Sequence, residues 1–161
     1  MSLKTALTLG QAIDFLTGEK GRGPLAVVTL QAFPVERLEL DLVSSYQQLD
    51  TESPRRASSA RLFDEHGEQL RVLWFFSARA SVELSTEDDL IRRDQVNYVQ
   101  PVAARAESTS ATFQFAYELT PQSHFYAGWR INGAHSQALS PLSFDGDQRQ
   151  FFLKVAYELH P

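Results

Sequence analysis

Apolar and polar residues alternate with a period of two along nearly the whole chain. Leu38, Leu40, Leu42 and Tyr46 share one parity, against Glu39, Asp41, Ser45 and Gln47. Leu70, Val72, Trp74 and Phe76 oppose Arg71, Phe75 and Ser77. Phe113, Phe115, Tyr117 and Leu119 oppose Thr112, Gln114, Ala116 and Glu118. The pattern returns at Phe125–Ile131 and at Phe151–Leu159. Successive side chains of a β-strand point to opposite faces, so each run predicts a strand with one apolar and one polar side. Helical spacing fits none of them.

The strands are expected near 24–33, 37–47, 69–77, 79–86, 109–119, 123–132 and 149–159. A weaker first strand falls within Leu3–Phe15, where Gln11–Leu16 also fits a helical turn. Strand 24–33 is less clear, because Leu25–Leu30 is apolar on both sides. Short turns at Pro34–Arg37, Ser77–Arg79 and Thr120–Ser123 alternate with long polar stretches at Gly18–Gly23, Gln47–Glu68, Glu87–Ser108 and Gly133–Asp147. All short turns therefore gather at one end and all long loops at the other. Phe33, Phe76 and Leu119 each precede a short turn at an interval of 43 residues, an architectural repeat of strand, short turn, strand and long loop.

Eight such strands predict an all-β fold, an eight-stranded antiparallel up-and-down transmembrane β-barrel occupying residues 1–161 as a single domain. The alternative is a soluble lipocalin-like barrel. The two differ in where the apolar face points: toward lipid in a membrane barrel, toward the core in a soluble one. Three features favour the membrane. Aromatic rings sit on the apolar parity at strand ends, namely Tyr46, Trp74, Phe76, Phe113, Phe125, Trp129, Phe151 and Tyr157, as in interfacial girdles. The opposite parity carries Glu39, Asp41, Arg71, Arg79, Glu83, Glu118, Arg130, Lys154 and Glu158, which would neutralise one another across a narrow lumen. Short turns on one side with long loops on the other are the asymmetry of outer-membrane barrels.

Other classes recede. The chain has no cysteine, which removes disulfides, thiolate metal sites and cysteine nucleophiles. Fifteen Lys and Arg against 20 Asp and Glu, a net charge of -5, disfavour nucleic acid as a partner. The longest apolar run, Val72–Phe76, is far short of the roughly 20 residues of a membrane helix. The N-terminal stretch from Met1 to Asp14 lacks the unbroken apolar run and cleavage site of a secretory signal, so the expectation is a cytoplasmic protein or a mature form.

The last strand, Phe151-Phe-Leu-Lys-Val-Ala-Tyr-Glu-Leu159, resembles the C-terminal strand of Gram-negative outer-membrane barrels, with Tyr157 and Leu159 in the places of their paired terminal aromatics. The final residue of that strand is Leu rather than Phe, and His160-Pro161 come after it. More specifically, Leu119–Trp129 together with Phe151–Tyr157 resembles the tail of bacterial outer-membrane proteins of unknown function that carry an N-terminal carbohydrate-binding family 9-like domain. The hairpins Phe33–Leu40 and Phe76–Leu84 are similar to earlier hairpins of the same barrel, so the likeness spans about residues 24–159. It implies an outer-membrane location, the C-terminal part of a larger barrel, and no established catalytic residues.

Catalytic chemistry would need a nucleophile, a base and an orienting acid in one place. His135 with Ser136, Ser140, Asp145 and Asp147 is the one stretch that holds these types, and a polar loop with an incidental histidine is preferred. His124 is expected as a turn or lumen residue, and His66 within Asp64–Glu68 as the cap of a long loop. Glu87-Asp88-Asp89 lacks the spacing of a calcium loop. Pro54-Arg55-Arg56 and Arg92-Arg93 have the charge to meet lipid or lipopolysaccharide phosphates. The expectation is a non-catalytic anchor or narrow, largely plugged pore. It has no cofactor or metal, and membrane lipid or detergent is its partner. The alternative is a soluble barrel that holds an apolar ligand in its interior.

Overall fold

The computed structural model describes residues 1–14, 18–51, 60–120, 123–137 and 148–157. They form eight antiparallel strands: β1 (Ser2–Ile13), β2 (Lys20–Val35), β3 (Leu38–Thr51), β4 (Arg61–Phe75), β5 (Ala80–Arg93), β6 (Arg105–Thr120), β7 (Ser123–Gln137) and β8 (Gln148–Tyr157). A single sheet joins them in sequence order, so the fold is the eight-stranded up-and-down β-architecture that the alternation predicts. Among the described residues, no ladder joins β8 back to β1.

Several boundaries differ from expectation. Arg61–Glu68, Glu87–Arg93 and Arg105–Ser108 are strand rather than loop. Gln11–Ile13 is strand rather than helix. Through Asp64–Glu68 and Glu87–Asp89 polar residues point to both faces, so alternation fades while the backbone ladder continues, as in Asp64↔Arg92 and Asp88↔Thr109.

The short turns are built by local polar chemistry. Ser77 Oγ accepts the backbone N–H of Arg79 and of Ala80, at 3.2 and 3.1 Å. Phe76 N–H donates to the Ala80 carbonyl at 2.9 Å. The Arg37 guanidinium reaches from the β2–β3 turn to the Phe76 carbonyl at 3.2 Å, tying neighbouring turns together. Pro24 has no N–H to give, and Gly23-Pro24 interrupts the β2–β3 ladder between Arg22↔Asp50 and Leu25↔Gln47 without shifting its register.

The strands are staggered. Across the ladders, Leu3 lines up with Leu30, Leu42, Leu70, Thr86, Ala111, Ile131 and Arg149. Leu30 stands five residues before the end of β2 at the first short turn, and Ala111 nine before the end of β6 at the third. The row thus climbs about one residue per strand. A rise of about 3.3 Å for each step of about 4.8 Å corresponds to a tilt of about 35°, within the usual range for strands in a barrel wall.

The apolar core is small and lies at one end. Leu49, Leu62, Phe63, Tyr98 and Val102 are buried, with Ala12 and Ile91 packed against them.

Candidate functional site

Register sorts every strand residue onto one of two faces. One carries Leu7, Val28, Leu42, Leu70, Trp74, Leu84, Phe113, Trp129 and Phe151, together with Tyr46, Phe125 and Tyr157. The other carries Glu39, Asp41, Arg71, Glu83, Gln114, Arg130 and Lys154. Burial is inverted relative to polarity. Leu42, Leu84, Phe113 and Trp74 are 40%, 40%, 47% and 51% exposed. The side chains of Glu39, Asp41 and Glu83 are only 22%, 25% and 30% exposed.

The aromatic side chains fall at two levels on the apolar face. Trp74, Phe125 and Tyr157 lie within two residues of a strand's short-turn end, and Phe76 comes directly after β4. Phe113, Trp129, Phe151 and Tyr46 lie six to eight residues further along. At about 3.3 Å per residue and a tilt of about 35–45°, the outermost rings are separated by about 20 Å along a barrel axis. Trp74 packs on Phe76 with centroids 4.8 Å apart, and Tyr46 packs on His66 at the same distance.

At the centre of the polar face, Arg71 meets three carboxylates from the two flanking strands. It contacts Glu83 at 3.0 Å, Asp41 at 3.2 Å and Glu39 at 3.6 Å. Gln31 extends this network to Glu39, and Gln69 donates to Glu87. Arg130 donates to Asn132, and the Lys154 ammonium lies 5.9 Å from the centre of the Tyr126 ring. Glu118 is on the same face at the short-turn end, opposite His124. Arg79, expected both in the Ser77–Arg79 turn and on the polar side of the next strand, sits in the turn and not on the polar face, because β5 starts only at Ala80. Glu158 lies outside the described residues.

The polar face is hollowed. A cavity of about 500 Å3 is bounded by Glu65, Asp89, Arg93, Ser108, Ala134 and Ser136. A second, of about 330 Å3, lies between Asp41, Gln69, Arg71, Glu87, Thr112 and Arg130.

The long β5–β6 connection, Asp94–Ala104, crosses this face as a strap. Its base is closed by Arg93 N–H to the Ala104 carbonyl at 2.8 Å. Asp94 caps a 3-10 turn at Gln95–Asn97, and the chain then runs extended through Tyr98. Tyr98 and Val102 pack on Leu49, Phe63, Ile91 and Ala12, which belong to the same face as Asp41, Arg71 and Glu83. Asn97 Nδ2 donates to the Arg61 carbonyl at 2.8 Å, and Val99 N–H donates to Glu19 Oε1 at 3.2 Å. Burial and the adjoining Asp14 carboxylate hold the Tyr98 hydroxyl well above the ordinary tyrosine range. In a flat sheet β1 and β5 would be about 19 Å apart, four steps of ~4.8 Å. Ala12 on β1 and Ile91 on β5 nevertheless pack against the same small buried cluster on the polar face. The sheet therefore bends toward its polar face, leaving the apolar face convex.

Other sequence candidates are dispersed. His135 and Ser136 are neighbours on β7 and point to opposite faces, with partners Glu107 and Ala106. Ser140, Asp145, Asp147, Pro54, Arg55 and Arg56 lie outside the described residues. Asp88 accepts from Thr109 at 2.7 Å, and Asp88 and Asp89 face opposite ways. Arg92 and Arg93 likewise diverge. Among the described residues, no three His, Asp or Glu side chains form a group able to hold a metal ion. Sequence reasoning missed the strap, although Tyr98, Val99 and Val102 are apolar within a polar stretch and Asp94 is a good cap.

Comparison with family models, with curated proteins and with solved structures found no match.

Proposed function

We propose that this chain is wall material of a bacterial outer-membrane β-barrel. It would act as an anchor or a narrow, largely filled pore, with its convex apolar face in lipid and its polar face lining the interior. The observation that carries this reading is the inverted burial. Large apolar side chains stand exposed on the convex side, while ion-paired carboxylates are sheltered on the concave side. Water penalises a continuous apolar surface of this extent, and lipid does not. The outermost rings of the two aromatic levels, about 20 Å apart, approach the ~25 Å height of an outer-membrane apolar band with its girdles. The Arg71 cluster fits a lumen too narrow to leave charges free. The resemblance to outer-membrane barrel hairpins points the same way.

The soluble alternative would turn the apolar face inward around a ligand. It stands second, because the strap packs on the polar face and that face is the concave one.

Refolding with and without detergent tests the proposal, read by size exclusion and far-UV circular dichroism. The β signal and a single small species are expected only with detergent or lipid. A folded monomer in plain buffer would overturn the membrane assignment and favour the ligand-binding alternative.

A further inference from the structure

We infer that Asp94–Ala104 is a strap which covers the polar face at its long-loop mouth and limits what can reach it. The inference rests on that face being the interior of a barrel.

Three observations support a cover rather than a solvated loop. Three of the strap's side chains, Asn97, Tyr98 and Val102, turn inward and are among the most buried of the described residues, while Val96 and Val99 stay exposed. Its anchors lie on separate elements. Asp94 N–H bonds to the Leu62 carbonyl and Asn97 to the Arg61 carbonyl, both on β4. Val99 bonds to Glu19, next to β2, and Tyr98 lies against Asp14 at the end of β1. Between base and tip it therefore runs from β5 to the β1–β2 connection, a chord across the concave side. It also stands beside the larger cavity, since Arg93 lines that cavity and begins the strap.

The design has a stiff base and a lighter tip. The Arg93–Ala104 bond and the Gln95 side chain, which donates to the Val102 carbonyl at 2.8 Å, hold the strap's own shape. At the tip, the grip on the far side comes from the Val99 bond to Glu19 and from the Tyr98 side chain against Asp14. The buried Tyr98 and Val102 and the tip contacts together hold the strap across the concave side, and loosening them leaves the ladders of the sheet in place.

The natural chain has no cysteine, so a single introduced thiol reports access cleanly. Glu65→Cys places that thiol in the cavity beside Arg93. The full chain, folded in detergent micelles, is labelled with a bulky thiol reagent. The Glu65→Cys protein is compared with the same protein carrying Tyr98→Ala and Asn97→Ala. Labelling is expected to be at least about tenfold faster with the strap loosened, as befits local opening, and the far-UV β signal should not change. Val99→Pro is the milder second variant. It removes only the donor to Glu19, and Tyr98 before it already has φ -93 and ψ 145, which a following proline accepts. It should accelerate labelling by a smaller factor. Equal rates in folded proteins would overturn the strap.

Micelle labelling does not depend on conduction, so the two readings fail separately. Gated labelling without any rise in bilayer conductance on loosening would keep the strap and remove the pore. Equal labelling in a protein that conducts would keep the pore and remove the strap.

Discussion

At the scale of single residues, Arg71 holds the polar face together. It is the one cation within reach of Glu39, Asp41 and Glu83 among the described residues. Arg71→Met would leave three carboxylates facing one another. The groups are partly exposed, so solvent screening reduces the cost, and a loss of about 1–2 kcal/mol is expected. Urea unfolding in micelles measures it, and Glu83→Gln should cost less. Gly128 shows a different constraint. A Cβ there would run into the Phe152 ring and the Phe113 carbonyl, so the absent side chain makes room for the ring of its cross-strand partner. Gly128→Val should cost about 1–3 kcal/mol as overpacking, and Phe152→Ala should relieve only the ring's share in the double variant, because the Phe113 carbonyl stays in the way. Tyr98 gives a pH prediction. Its folded-state pKa is raised by burial and by Asp14, with Glu19 adding to the shift and Arg93 opposing it. The folded state therefore holds the proton more tightly than the unfolded chain. That contribution is complete below the ordinary tyrosine pKa of about 10 and is lost as pH rises above it. The urea midpoint should fall more steeply between about pH 9 and 11 in the wild type than in Tyr98→Phe.

At the scale of elements, parity decides what each strand position tolerates. Leu84 on β5 and Phe113 on β6 are partners on the apolar face, and Glu83 and Gln114 are partners on the other. In lipid vesicles Leu84→Lys should cost about 2–4 kcal/mol, the penalty of a cation near the midplane. Gln114→Lys, set against Glu83, should cost less than about 1 kcal/mol. Equilibrium unfolding of both variants in the same vesicles compares them. This parity was legible in the sequence because Leu38–Leu42 and Phe113–Leu119 sort cleanly into apolar and polar sides. Strand length was not. Asp64, Glu65, His66, Asp88 and Asp89 are polar whichever way they point, so the period disappears although the ladder does not. Arg79 stands at the boundary of the expected turn Ser77–Arg79 and the expected strand 79–86, since charge next to an alternating run looks like its continuation. The hydrogen bonds of Ser77 put it in the turn. The strap was hidden for a related reason: Tyr98 and Val102, in an irregular segment, have no period, and their burial depends on Leu49 and Phe63, far away in sequence.

At the scale of the whole molecule, the sheet presents a convex apolar surface and two outer strands that each pair on one side only among the described residues. Unpaired strand edges beside exposed apolar side chains are a template for association. Without lipid or detergent the protein should sediment as heterogeneous oligomers. The stagger of about one residue per strand and the strap across the concave side both belong to a curved wall rather than to one leaf of a sandwich. The chain's two tryptophans, Trp74 and Trp129, both lie on the apolar face, one at each aromatic level. All tryptophan emission therefore reports on what that face touches. The most direct measurement is tryptophan quenching by lipids brominated on their acyl chains, after folding into vesicles, for the wild type and for Trp74→Phe and Trp129→Phe. The account predicts blue-shifted emission, quenched by the acyl bromines in both single-tryptophan proteins and protected from aqueous iodide. Blue-shifted emission indifferent to brominated lipid, from a protein monomeric in buffer, would put the apolar face in a soluble core and contradict it.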